Sequence, residues 1–365
     1  MSESITDEDR VRRLRRELER VPRLLIIRLR SLGDSILALP LVNALHSWRP
    51  ELEVDLLVEA PYAAVFCRQS AVHETLVLRT RNEPKEAGWS RGGACLEVGK
   101  RRYPAVLNLH GGTTSLLFTL ASRARIRIGQ AKYRHSRIYN ALIPSPSSVW
   151  HRSDLHTVED QLTVMRWLDL PIPEKPKGKL ILDSQARERV SGRLLASGVR
   201  SEYLLIHATA TLPSKQWKER NFAELADRLT EKHGLPVILT SGPRESQVLL
   251  NIGRHARNRH RYWSDLGLDE LFALIEGSRL FIGNDSGPTH AAAALGKPLV
   301  VVWGSSDFQV WRPWETKYEA VRLDFPCMPC PGYECAAFGT PRCIEDIPVE
   351  PVMEACDRLL TTYHL

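Results

Sequence analysis

Apolar residues along this chain fall into two patterns. Short unbroken runs read as buried strands, and stretches with recurrence every three or four positions read as helices packed on one face. Val11, Leu14, Leu18 and Val21 keep helical spacing among many arginines, which predicts a short helix over residues 9–20. Leu24-Leu25-Ile26-Ile27 is then a strand-length apolar run, followed by a polar turn and by helical periodicity over residues 36–48. A second strand is predicted over 54–58, a helix over 60–69 and a strand over 103–109, with a polar, glycine-containing surface excursion at 79–102 between them. Pro171-Ile172-Pro173-Glu174-Lys175-Pro176 cannot continue a helix and reads as a linker. Beyond it the rhythm resumes, with strands at 203–207, 236–240, 280–282 and 298–303 and helices at 222–233, 268–277, 288–295 and 351–363. Strands alternating with helices predict an α/β protein with parallel, doubly wound sheets. The expected domains are residues 1–175 and 176–365.

Composition narrows the class. With 365 residues, 43% apolar, 25% charged and 7% aromatic, the chain is ordinary for a globular protein and long enough for two cores. Its longest nearly apolar stretch, residues 291–303, is broken by Lys297 and falls well short of the ~20 residues that span a bilayer. The first twenty residues open acidic and lack an apolar core, so no secretory signal is expected and the chain is placed in the cytoplasm. A net charge of +7 suits an anionic partner, with no nucleic acid expected. The first helix is either a solvated surface helix or a contact with an acidic membrane surface. Seven cysteines do not suggest a disulfide framework. Cys327, Cys330, Cys335 and Cys343, set among Pro326, Pro329, Pro331 and Gly332, could build a tetrahedral metal site or remain reduced thiols, with no metal assigned.

Three loops at strand ends carry candidate chemistry. In Arg30-Ser31-Leu32-Gly33-Asp34-Ser35, Asp34 is a general base or, with Ser35, simply caps the helix. After the linker, His207-Ala208-Thr209-Ala210-Thr211 and Lys215-Gln216-Trp217 combine small residues and hydroxyls with a cation for phosphate. Asn284-Asp285-Ser286-Gly287-Pro288-Thr289-His290 opens a helix whose free N–H groups suit a pyrophosphate, with Pro288 fitting the first turn and His290 either a phosphate contact or a capped core histidine. Arg123, Arg125, Arg127, Lys132, Arg134 and Arg137 are either solvated charge or a cradle for an acceptor's anionic groups. No G-x-G-x-x-G follows the first strand, which argues against a nicotinamide-dependent dehydrogenase.

In order and spacing, these segments resemble glycosyltransferase family 9, the ADP-heptose:lipopolysaccharide heptosyltransferases. The resemblance is carried by Ile26-Ile27-Arg28-Leu29, Leu32-Gly33-Asp34, Leu39-Pro40, His207-Ala208-Thr209, Lys215-x-Trp217, Gly242-Pro243-Arg244-Glu245 and residues 284–290. It implies a GT-B fold, two Rossmann-like domains facing a central cleft, and an inverting transfer of heptose from ADP-heptose without an obligatory metal. Asp34 would be the base and Lys215 a catalytic cation. Thr209, Lys215, Trp217, Glu245, Asp285, Ser286, Gly287, Pro288, Thr289 and His290 would form the donor site, with Arg127, Lys132, Arg134 and Arg137 holding an anionic glycolipid acceptor. Contact with the cytoplasmic face of the inner membrane and return of the last helix to the first domain are further expectations. Another donor, or a non-catalytic nucleotide- or RNA-binding protein, is the alternative. The chain departs from some members in placing Ala210, not a second hydroxyl, after Thr209.

Overall fold

The computed structural model describes residues 6–362 apart from 82, 201, 331 and 332. Pro331, Gly332 and Tyr363, named above, therefore lie outside the described residues. The chain divides into two compact units, Met1–Lys179 and Leu180–Leu365.

In the first unit, β1 (Arg23–Ile27), β2 (Glu53–Glu59), β3 (Glu74–Leu78), β4 (Ala105–Asn108), β5 (Ile126–Gln130) and β6 (Ala141–Ile143) form one sheet in the order β3-β2-β1-β4-β5-β6. All neighbours are parallel. In the second, β7 (Leu204–His207), β8 (Val237–Thr240), β9 (Arg261–Trp263), β10 (Leu280–Asn284), β11 (Leu299–Trp303) and β12 (Tyr318–Arg322) are ordered β12-β11-β10-β7-β8-β9, again parallel throughout. Counted within each unit, both sheets carry the same doubly wound order. Each reverses direction between its first and fourth strands, where the loops leaving the carboxyl ends part and leave a crevice. The central strands are covered on both faces, so Leu24 to Ile27 and Leu299 to Trp303 are apolar without alternation and fully buried.

Several local expectations change. The stretch predicted as a helix over 60–69 is only a 3₁₀ turn, Ala60–Val65, entered through Pro61. Residues 36–48 are split between the helices Leu32–Ile36 and Leu39–Trp48, the second with Pro40 in its first turn. The surface excursion at 79–102 is largely ordered. Trp89 bridges Leu78, donating to the Val77 carbonyl at 2.9 Å and accepting from the Arg79 N–H at 2.8 Å, and Arg91–Arg101 is a helix capped by Ser90. Gly88 makes this return possible: its φ is +154° and a Cβ would lie 2.4 Å from the Val77 oxygen.

The terminal helix Val349–Thr362 finds its packing surface inside its own unit. Val352, Met353, Cys356 and Leu360 join the core formed with Phe222, Leu225, Val300 and Val302. Its apolar stripe is thus buried on the second sheet, where it had been expected to return to the first domain. The N-terminal helix Asp7–Leu18 pairs Arg12 with Glu8, Arg13 with Glu17 and Arg15 with Glu19, a solvated face laced one turn apart. Among the described residues, no helix is long and apolar enough to cross a membrane.

Candidate functional site

In the second unit, the segments leaving β7, β8 and β10 carry the expected donor residues, and the β7 and β10 segments are neighbours because those strands pair directly. Thr209, 1% exposed, donates to the Glu245 carboxylate at 2.7 Å, and Glu245 also accepts from the Gly242 N–H at 3.0 Å. Behind Thr209 lies His207, with Nε2 at 3.2 Å from the threonine hydroxyl and Nδ1 at 3.1 Å from the Thr240 hydroxyl. Protons consistent with these contacts run from Thr240 to Nδ1 and from Nε2 through Thr209 to the carboxylate.

Burial lowers the His207 pKa from 6.5 to about 4. The unfolded chain therefore takes up a proton near pH 6.5 that the folded chain refuses until about pH 4. Stability from this residue is complete above 6.5 and is lost as pH falls through that window, amounting to on the order of 2 kcal/mol by pH 5. Thermal melts between pH 7.5 and 4.5 should show this decline, and His207→Gln should flatten it. An unchanged pH slope in the variant would assign the decline to other groups.

Lys215 Nζ donates to Asp285 Oδ2 at 2.7 Å, and the Ser306 hydroxyl donates to the same oxygen at 2.5 Å. The Asp285 side chain is 4% exposed and that of Lys215 is 22%, so the carboxylate is enclosed while the ammonium reaches solvent. Ser286 caps the helix Gly287–Ala294 without a side-chain capping bond, and its buried hydroxyl has no hydrogen-bond partner. The Thr289 and His290 N–H groups already donate to the Ser286 carbonyl, so the orphaned hydroxyl at this helix start is the polar group awaiting a partner. Pro288 and His290 are buried in this first turn, and the Thr289 hydroxyl is committed to the Asn284 carbonyl at 2.5 Å. Thr289 therefore shapes the turn. Trp217 is 2% exposed in the core, its indole N–H donating to the Ile347 carbonyl at 2.8 Å and its backbone N–H to Asn284 at 3.2 Å. It anchors the Lys215 segment to the loop after β10 and offers no surface to a ligand.

In the first unit, Asp34 is the third residue of the helix Leu32–Ile36, and Ser31 is the cap. Asp34 Oδ2 accepts from the Ser31 N–H at 3.3 Å and hydroxyl at 3.1 Å, while Oδ1 pairs with the Arg28 guanidinium. The side chain remains 24% exposed. The capping role is thus real, yet the carboxylate is oriented and open to a ligand. His110, at the end of β4, lies beside this group with its ring hydrogen-bonded to the Arg30 main chain. Burial first, then Arg28 and Arg30, hold its pKa below the usual histidine range.

The basic stretch divides. Arg127 spends its guanidinium on the Ile138 and Ala124 carbonyls at 2.7 and 2.9 Å, so it ties β5 to the following turn and is not available as an acceptor contact. Lys132 pairs with Asp160 at 3.3 Å, and Arg134 and Arg137 are exposed.

Cys327, Cys330, Cys335 and Cys343 are free thiols. Burial and the nearby thiols of Cys330, Cys327 and Cys335 push Cys343 up to about 11. Among the described residues, the group of three ligand atoms within 4.8 Å of one another is Asp55, His73 and Glu74, not the cysteines. Arg23 and Arg101 already neutralise those carboxylates.

Sequence reading missed Ser306 and His110. Both follow the carboxyl end of a buried strand, the same position that marked the other candidates. Ser306 is aimed at Asp285 by a close approach at Gly304, where a Cβ would stand 2.6 Å from the Ser214 oxygen.

Comparison with known proteins agrees with this architecture. Residues 95–339 match the profile of glycosyltransferase family 9 (heptosyltransferase). The chain is similar to lipopolysaccharide heptosyltransferase 3 of Escherichia coli, 25% identical over 295 residues covering 77% of this chain and 83% of that protein. The fold is that of a family 9 glycosyl transferase from Veillonella parvula, with TM-score 0.80, 19% identity and coverage of 93% and 98%. It is also that of the E. coli ADP-heptose lps heptosyltransferase II, with TM-score 0.76, 21% identity and coverage of 94% and 100%.

Proposed function

The chain belongs to glycosyltransferase family 9, and from that premise we propose that it transfers heptose from ADP-heptose to an anionic sugar of a lipopolysaccharide core, inverting the anomeric carbon. The observation that carries the donor half of this reading is the buried, partnerless Ser286 hydroxyl at the start of Gly287–Ala294, beside the loop residue Asp285 that holds Lys215. A diphosphate satisfies that hydroxyl at the positive end of the helix, and Lys215 neutralises it.

Asp34 takes the proton of the acceptor hydroxyl as its oxygen attacks the anomeric carbon, and the bond to the departing ADP breaks on the opposite face. Arg28 and Ser31 fix the orientation of the carboxylate. Charge that develops on the leaving diphosphate meets Lys215, the Ser286 hydroxyl and the helix start. His110 lies beside the base, where burial and then Arg28 and Arg30 lower its pKa and so disfavour a further positive charge.

Calorimetric titration with ADP, UDP and GDP, each with and without Mg²⁺, tests the donor. ADP should bind at least about tenfold tighter than the others with or without metal, and ADP-heptose should then turn over. A preference for UDP or GDP would retain the glycosyltransferase and replace its donor.

A further inference from the structure

Three large apolar side chains of the first unit stand in solvent on one pair of helices. Leu96 in the helix Arg91–Arg101 is 69% exposed, and Leu117 and Leu120 in the neighbouring helix Thr113–Ala121 are 53% and 50% exposed. A lone exposed leucine needs no explanation, but several grouped at one seam mark a surface that something covers. Leu117 shares its stripe with Leu120 and Ala121, three and four positions on, and Leu96 shares its stripe with Gly99 and Lys100 in the same way. Gly99 lets the two helices close, since a Cβ there would stand 3.2 Å from the Ala121 carbonyl oxygen. Between them runs a groove of 520 Å³ whose walls include Leu96, Gly99 and Ala121.

The rim of this groove is cationic. Lys100, Arg102 and Arg123 line it, all three are exposed, and among the described residues none of them makes an ion pair. Within residues 91–102 and 113–123 the sole carboxylate, Glu97, is held by Arg101 at 3.1 Å. Arg102 and Arg123 also occupy left-handed backbone, with φ of +48° and +54°, where glycine or asparagine sits at lower cost. A helix dipole favours cations at these carboxyl ends, but it gives no reason for the leucines beside them. The N-terminal helix, expected to touch an acidic membrane surface, lacks this combination: Arg12, Arg13 and Arg15 pair with Glu8, Glu17 and Glu19, and Leu18 is buried.

We propose that this groove and its basic rim dock the protein on an anionic bilayer, with the leucines entering the acyl region and Lys100, Arg102 and Arg123 meeting lipid phosphates. Unneutralised cations set directly beside exposed leucines match a leaflet, in which phosphates overlie hydrocarbon. The aliphatic stems of the three cations can lie along the apolar seam while their charged ends reach the headgroups. The inference rests on the glycolipid acceptor assigned above in one respect, that such an acceptor is held in the same leaflet.

The test is co-sedimentation of the full chain with vesicles of phosphatidylcholine alone and of phosphatidylcholine mixed with phosphatidylglycerol. The mixed vesicles should bind it at least about tenfold tighter, and raising salt from about 0.1 to 0.5 M should release it. Leu96→Gln/Leu117→Gln and Arg102→Asn/Arg123→Asn should each weaken that binding by about tenfold or more. Glutamine keeps helix propensity and asparagine accepts left-handed backbone, so both variants should keep the wild-type melting temperature and ADP affinity. Arg12→Ser/Arg13→Ser in the N-terminal helix should bind as the wild type does. No binding by the wild type, equal binding to neutral vesicles, or full binding by either groove variant overturns the surface. So does a loss confined to the N-terminal variant, or a concentration-dependent dimer abolished by the leucine variant, which would give the face to a second copy of the chain. Vesicle binding by a chain that transfers no heptose leaves the surface standing and removes the reaction. Transfer to a soluble core fragment by a chain that ignores vesicles does the reverse.

Discussion

Asp34→Asn should lower kcat by about 10²–10⁴-fold while ADP affinity stays nearly constant. The substitution keeps the shape of the side chain, and its amide oxygen can still accept from Ser31, so the helix start survives. What it removes is the ability to take a proton and the charge that pairs with Arg28. Arg28 is 11% exposed and also bonds the Leu109 carbonyl at 2.5 Å, so losing its carboxylate costs on the order of 1–3 kcal/mol of stability. Melting temperature must therefore be measured alongside turnover at a temperature where the variant is folded. ADP binds through residues of the second unit in this reading and reports the integrity of that half. Turnover within tenfold of wild type would leave Asp34 as a capping residue and remove it as the base.

Lys215→Ala should weaken ADP by about 10²-fold, more than a surface lysine contributes, because the change acts twice. It removes the cation that meets the diphosphate, and it leaves the Asp285 carboxylate, 4% exposed, with the Ser306 hydroxyl and no positive partner. An enclosed, unpaired carboxylate beside a diphosphate repels it. The double variant Lys215→Ala/Asp285→Asn should then recover about tenfold of the loss in calorimetry, since the two residues are coupled and their effects cannot add. If the double variant binds ADP no better than the single one, Asp285 is not a source of repulsion and Lys215 acts alone.

The residues that sequence made legible are those whose position follows from the backbone pattern. An apolar run such as Leu24 to Ile27 or Leu299 to Trp303 marks a central parallel strand, and the polar residues after it sit at a carboxyl end, as Asp34, Thr209 and Asp285 do after β1, β7 and β10. Strands outside the centre of each sheet were less legible. β5 places Arg127 within Ile126–Gln130, and its charge suggested a ligand contact. Only the approach of Ile138 and Ala124 reveals a guanidinium consumed by main-chain carbonyls. Trp217 beside Lys215 read as a ligand surface for the same reason: sequence gives adjacency along the chain, while burial is decided by Phe222 and the Ile347 carbonyl.

The order of strands in the first sheet has a consequence for how such enzymes diversify. Asp34 and His110 follow the two innermost strands, β1 and β4, whereas residues 79–81 follow the outermost strand, β3. A sheet margin can be lengthened, trimmed or exchanged between lineages without re-registering the interior ladder. The segment that follows β3 can therefore change in length and charge while the carboxylate of Asp34 stays where it is, so divergence at that margin leaves the interior of the sheet untouched.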